Sequence, residues 1–230
     1  MPSLTTLQCP HCGRRFDFAP VTSLTPEDLH EEELLRGTLN CATCPGCAKV
    51  LNVPLRLVYR DSRRPFLLVQ EPKPLPEAQA KALALKLDES ATEAARAQGV
   101  QRPETRLVFT RQDFLEKLYL QRRGLDDRVV EFAKYQLFQG GAGQEAHLSP
   151  SRHRLLFDFS HREGDCLAFF LYDRGSGRPI RMLQVPKGEF DALEEEIRLN
   201  PTLQRELDRC FPGCRVDVDL LFQTLAQEKP

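Results

Sequence analysis

Two Cys-Pro-X-Cys turns, Cys9-Pro10-His11-Cys12 and Cys44-Pro45-Gly46-Cys47, carry the densest chemistry in the chain, with residues 13–43 between them. Two residues between cysteines let the backbone curl enough to aim both sulfurs at one ion about 2.3 Å away. Two such turns together supply a tetrahedral set of four thiolates. Pro10 and Pro45 preset φ in the curl, and Gly13 follows Cys12 where a left-handed residue is wanted. Four thiolates close the coordination shell and leave no position for water or substrate. One Zn2+ held there is expected to be structural, contributing to folding and not to catalysis.

Other uses of paired cysteines compete with this reading: burial as small apolar residues, a disulfide, or a dithiol redox site. A thioredoxin-like site needs one such turn opening a helix within a βαβ pattern, whereas both turns here sit between strand-like runs. Cys41-Ala42-Thr43-Cys44 is a further Cys-x-x-Cys, so Cys41 is a possible substitute ligand. The set Cys9, Cys12, Cys44 and Cys47 is adopted because Pro45 repeats the position of Pro10. Ala48 stands where Gly13 stands in the first turn, which weakens the second turn slightly.

Composition bounds what can surround these turns. The chain has 230 residues, 41% of them hydrophobic and 28% charged, as in globular proteins. No apolar stretch approaches the roughly 18 residues of a membrane span. The opening Met-Pro-Ser-Leu-Thr-Thr lacks the basic and apolar regions of a signal peptide. The expectation is a cytoplasmic protein with no membrane partner, in a reducing compartment that favours metal over disulfides. The formal net charge is −1 with acids and bases interspersed, so no basic stripe of the kind that marks nucleic-acid binders is present.

The elements that must position the turns follow from pattern. Phe16 and Phe18 alternate with polar residues in a strand leaving the first turn. Thr25, followed by Pro26, Glu27 and Asp28, reads as the N-cap of a helix ending before Gly37. Strands are expected over 50–53, 55–59 and 65–69, then a stiff Pro-rich linker from Glu71 to Pro76. A helix over 77–98 follows, then a strand at 106–109. Thr110 caps a helix over 111–122, Gly124 breaks it, and another helix runs from about Asp126 to Phe138. Gly140-Gly141-Ala142-Gly143 reads as a flexible exit. Strands at 155–159, 166–172 and 180–185, helices at 187–199 and 201–209, and a closing strand at Val216–Leu220 complete the reading. The fold class is α+β: an N-terminal zinc-ribbon-like set of antiparallel strands with an inserted helix, central helices, and a C-terminal antiparallel sheet with helices on one face. Three segments are expected: 1–71, 72–146 packing with the first, and 147–230.

The chain resembles the CpXC protein family. The resemblance rests on Cys9-Pro10-His11-Cys12-Gly13, Cys44-Pro45-Gly46-Cys47, and the run from Pro54-Leu55 through Tyr59-Arg60-Asp61. It continues at Phe114-Leu115-Glu116-Lys117 and Gly124-Leu125-Asp126-Asp127-Arg128, with Glu131 and Lys134. It covers about the first 138 residues and implies a zinc-ribbon-like module.

Among the remaining residues, Glu116, Asp126, Asp127 and Glu131 could form a carboxylate cluster for acid/base or divalent-metal work. The simpler reading is an aspartate cap on a helix, with Arg128 and Lys134 as local ion-pair partners. Cys210-Phe211-Pro212-Gly213-Cys214 has the wrong spacing for a third turn of the same kind, and buried cysteines are expected there. His11 is expected to be exposed, and His153 and His161 lack ligand spacing. Arg56, Arg60, Arg63 and Arg64 form the best basic patch, a possible anion-binding surface whose simpler explanation is a solvated strand edge. No phosphate loop, dinucleotide fingerprint or hydrolase elbow is present. The expected function is therefore non-enzymatic: zinc orders an adaptor surface whose partner is another protein. A nucleic-acid-binding zinc ribbon using the four arginines, and a thiol redox sensor using Cys41, are the alternatives.

Overall fold

Each cysteine turn is the bend of a two-stranded hairpin. In the computed structural model, which describes residues 4–28, 30–140, 148–160 and 164–227, β1 (Thr5–Gln8) pairs antiparallel with β2 (Arg15–Phe18) across the first turn. After β3 (Ser23–Leu24) and the short α1 (Glu31–Leu35), β4 (Cys41–Thr43) pairs antiparallel with β5 (Val50–Asn52) across the second. These hairpins bury almost nothing apolar: within their strands only Ala42 is buried. Isolated two-stranded hairpins are marginal in water, so something other than apolar burial must hold these two.

The core of the first compact unit, residues 1–114, is a four-stranded sheet ordered β3-β6-β7-β8. It comprises β3, β6 (Leu57–Asp61), β7 (Phe66–Gln70) and β8 (Glu104–Val108). Period-two alternation in β6 buries Leu57 and Tyr59, while Phe66, Leu68 and Val69 are buried from β7. The sheet is mixed: β6 and β7 form a hairpin, but β3 joins β6 and β8 joins β7 in parallel. A parallel neighbour needs a long crossover. That crossover is α2 (Glu77–Gln98), which ends on Gly99 in the left-handed conformation at φ 65° and buries a stripe of Ala80, Ala91 and Ala95. The Pro-rich segment read as a linker thus leads from β7 into α2 inside the first unit, because β8 returns to β7.

The second unit, residues 115–230, is α+β. The boundary between the units falls within α3 (Arg111–Arg123), whose start is capped as expected: Asp113 N–H donates to Thr110 Oγ1 at 3.1 Å. Asp126 caps α4 (Asp127–Phe138) by accepting from Arg128 N–H at 2.9 Å. An antiparallel sheet ordered β11-β10-β9 follows, built of β9 (His153–Phe157), β10 (Cys166–Asp173) and β11 (Pro179–Pro186). Leu155, Phe157, Phe169, Leu171 and Leu183 share its buried core with Val130, Leu137, Phe190, Ile197 and Leu221 of the helices. Those helices include α5 (Lys187–Leu199), α6 (Pro201–Cys210) and α7 (Val218–Gln227).

Two expectations need correction. Thr25 does not start a helix. Thr25–Asp28 is a closed turn in which Asp28 N–H donates to Thr25 C=O at 3.1 Å and Thr25 N–H donates to the Asp28 carboxylate, so these groups are satisfied locally and α1 starts only at Glu31. Val216–Leu220 does not close the sheet. Its alternation breaks after Leu220, and Val218, Leu221, Phe222 and Leu225 instead follow helical spacing as the core-facing side of α7. Asp217 accepts from Asp219 N–H at 2.8 Å, as an N-cap does. The 141–143 glycine run and His161 lie outside the described residues. Among the described residues, no helix is long and apolar enough to cross a membrane.

A candidate four-cysteine metal centre

The two turns have the same backbone pattern. Cys9 N–H donates to Arg14 C=O and Gly13 N–H to Cys9 C=O, both at 2.9 Å. In the second turn Cys44 N–H donates to Lys49 C=O and Ala48 N–H to Cys44 C=O, again both at 2.9 Å. Gly13 takes φ 72° and Ala48 φ 57°, so alanine accepts the left-handed conformation that glycine adopts at no cost. Gly46 is needed for a different reason. A side chain there would start 3.3 Å from Cys12 Sγ and 2.7 Å from Arg14 Cδ, so it would displace Arg14 and crowd the Cys12 sulfur where the two turns approach.

This approach brings together the sulfurs of Cys9, Cys12, Cys44 and Cys47, all within 4.8 Å of one another. Cys9 Sγ lies 3.7 Å from Cys47 Sγ, and Cys12 Sγ lies 3.6 Å from Cys44 Sγ. Four sulfurs about 2.3 Å from a central tetrahedral ion stand about 3.8 Å apart, so the donor set fits such an ion. Neither pair is a disulfide. Cys41 lies outside the group, and its thiol donates to Gly37 C=O at 3.7 Å. Cys9 and Cys44 are buried, Cys47 is half-buried and Cys12 is exposed.

The electrostatics of the sulfurs are uneven. Burial works upward on the Cys44 thiol, but the backbone N–H groups of Gly46 and Cys47 and the Cys12 thiol hold it down to about 6. The Gly46 N–H lies 3.3 Å from Cys44 Sγ. At Cys12 the Arg14 N–H works downward, but the other three sulfurs and desolvation push the thiol up to about 12. Among the four sulfurs, backbone N–H groups thus favour the thiolate at Cys44, while the neighbouring sulfurs disfavour it at Cys12. Metal affinity must fall as pH falls, because the ligands are then protonated. Lys49 Nζ stands 3.4 Å from His11 Nδ1 beside the group and contributes positive charge.

Sequence reasoning missed Asn40, which ties the second hairpin to the rest of the unit. It is buried with φ 62°, and its amide forms a two-way clasp: Val21 N–H donates to Oδ1 and Nδ2 donates to Val21 C=O, each at 2.8 Å. Its own C=O accepts from Val53 N–H at 3.0 Å. The available signal was an Asn just before the Cys41 strand, since Asn tolerates the left-handed region. Asn40→Ala removes two hydrogen bonds worth about 1 kcal/mol each and forces alanine to φ > 0. A loss of about 2–3 kcal/mol in denaturant unfolding is expected; a loss below about 0.5 kcal/mol contradicts the clasp.

Two of the four arginines have carboxylate partners. Arg56 pairs with Glu71, and Arg63 reaches Glu27 at 3.0 Å. The Arg63 and Arg64 backbone N–H groups donate to Asp61 Oδ1, and Arg60 is exposed on β6. Cys210 ends α6, and Cys214 is buried before α7; neither belongs to the four-sulfur group. His153 Nδ1 accepts from Ser149 N–H at 3.0 Å, a structural bond. Arg128 clasps Asp126 and reaches Asp208 at 2.6 Å. Glu116, Asp127 and Glu131 are buried against Lys117 and Lys134. Lys117 as a central partner was not anticipated from sequence.

The profile of a family described as CpXC protein matches residues 7–134. No curated protein and no solved structure matches the chain.

Proposed function

This chain belongs to the CpXC family, and we propose that it is a non-enzymatic zinc-binding protein in which Cys9, Cys12, Cys44 and Cys47 hold one structural Zn2+. One observation carries the reading: four sulfurs at tetrahedral spacing join two hairpins that bury almost no apolar surface of their own. When bound, zinc supplies folding energy to the ribbon and, with its shell closed, no reactive position. An all-sulfur tetrahedral set suits zinc or iron, and the soft thiolates disfavour magnesium and calcium. A reducing cytoplasm, where thiolates stay available to metal, is part of the proposal.

The ordered ribbon then presents an adaptor surface to another protein. Val50 beside the second turn and Leu35 on α1 are exposed apolar side chains on the metal-bearing unit, which suits protein contact better than phosphate contact. The carboxylate partners of Arg56 and Arg63 weigh against nucleic acid. The redox-sensor alternative keeps one supporting observation, a half-buried Cys41 outside the four-sulfur group.

Elemental analysis of protein purified without a metal-affinity tag is expected to find about one zinc per chain. Iron in its place, or no metal, overturns the zinc assignment. Retention on nucleic acid is expected to be weak and unchanged when Arg56, Arg60, Arg63 and Arg64 become alanine; salt-dependent retention lost in that variant establishes the nucleic-acid reading instead.

A further inference from the structure

Five charged side chains meet inside the second unit, almost sealed from water. Lys117 Nζ lies 3.0 Å from Asp127 Oδ2 and 2.9 Å from Glu131 Oε1. Lys134 Nζ lies 2.9 Å from the same Glu131 oxygen and 2.8 Å from Glu116 Oε1. The side chains of Glu116, Lys117, Glu131 and Lys134 are 2–4% exposed, and that of Asp127 is 8% exposed. Within these contacts three carboxyl groups share two ammonium groups. Crowded charge in such surroundings is heavily penalised, and a buried carboxyl escapes the penalty by taking a proton.

The geometry identifies which carboxyl does so. Glu131 receives both lysines on Oε1 and the Val218 backbone N–H on Oε2 at 3.1 Å, three donors that favour the anion. Asp127 stands in the first turn of α4, where the helix dipole favours negative charge, and it has Lys117 beside it. Glu116 shares Lys134 with Glu131, and the Phe157 backbone N–H from β9 donates to the same oxygen, Oε1, so fewer donors favour its anion than favour that of Glu131.

We propose that Glu116 holds a proton in the folded protein at neutral pH, making the cluster a proton-binding lock that joins α3 and α4 to β9 and the start of α7. Two of these five family-matched side chains, Glu116 and Glu131, thereby accept from backbone that lies beyond the matched residues 7–134, at Phe157 and Val218. Burial is the largest influence on Glu116 and pushes it upward, with the Glu131 charge adding to it; Lys134 from α4 and Lys117 from its own helix oppose. For Glu131, burial also works upward, but Lys117 and Lys134 outweigh it and hold the group down.

The two carboxyls therefore bend the pH dependence in opposite directions. Glu116, raised in the folded state, contributes stability that is complete below the ordinary carboxylate range and is lost as pH rises through its folded value. Glu131, lowered in the folded state, contributes stability present above that range and lost as pH falls through its folded value.

The test uses the full chain labelled with 13C at glutamate carboxyls, with Glu116→Gln to assign the signal. Glu116 is expected to show the shift of a protonated acid at neutral pH, while exposed glutamates titrate in the ordinary range. Glu116→Gln, a neutral mimic of the protonated acid, is expected to fold and keep hydrogen-exchange protection at the Phe157 amide. Its stability is expected to lack the decline with rising pH that Glu116 is expected to give the wild-type chain above the carboxylate range. An ionised Glu116 at neutral pH overturns the proposal, as does a Glu116→Gln chain that unfolds or exposes the Phe157 amide. The Glu116 carboxyl shift and the Phe157 amide protection do not depend on the metal, so the proposal stands or falls apart from the zinc assignment.

Discussion

Cys9→Ser is expected to emerge from purification without metal and with both ribbon hairpins open. Apparent binding free energies of structural zinc in small domains are about 10–16 kcal/mol, and removing one of four thiolates from a closed shell forfeits much of that. Here the loss falls on β1, β2, β4 and β5, which have little apolar burial to fall back on. The sheet of β6, β7 and β8 keeps its own core of Leu57, Tyr59, Leu68 and Leu107. Hydrogen exchange should therefore show amide protection lost at Cys9 and Cys44, whose N–H groups close the two turns, and retained in β6 and β7. Cys41→Ser provides the control and should leave metal content unchanged, because its sulfur lies outside the four. Metal retained by Cys9→Ser, or lost by Cys41→Ser, would show that the ligand set is wrongly assigned.

Glu131→Gln should cost about 3–5 kcal/mol in denaturant unfolding, the range for breaking a buried ion pair by removing one partner. The amide can still accept from Val218 N–H, so the loss reports charge, not shape. Lys117 and Lys134 would both lose the anion between them; Lys117 would keep Asp127, and Lys134 would keep Glu116. The midpoint should fall while the slope of free energy against denaturant stays constant, as for a change confined to the folded state. A loss below about 1 kcal/mol contradicts the central position of Glu131 in the network.

Most of the local architecture was legible because its causes lie within a few residues of each other. Gly99 ends α2 as expected, and Thr110 and Asp126 cap α3 and α4 with their own side chains. Thr25 and Val216 misled for the same reason that the others informed. A threonine before proline suits a turn as well as a helix start, and five alternating residues suit a strand until the next turn of helix supplies its apolar face. The choice was made by what each segment packs against, through Leu24 in the sheet and Leu221 in the core.

At the four-cysteine group the sequence by itself offered the donors, since a Cys-Pro-X-Cys turn aims two sulfurs at one point whatever surrounds it. It left four candidate ligands among five cysteines. In the tertiary structure the sulfurs that come together are those of Cys9, Cys12, Cys44 and Cys47, because the pairing of β4 with β5 puts the bend at Cys44–Cys47 and leaves Cys41 on the strand, its thiol turned to Gly37. The buried network lay still further from view. Glu131 and Lys134 are one helical turn apart and could be paired on paper, but Glu131 reaches Val218 across 87 residues and Glu116 reaches Phe157 across 41. Short-range chemistry is written in spacing. Which charges end up sharing a dry interior depends on the path of the whole chain, and that path is set by the summed burial of side chains distant in sequence.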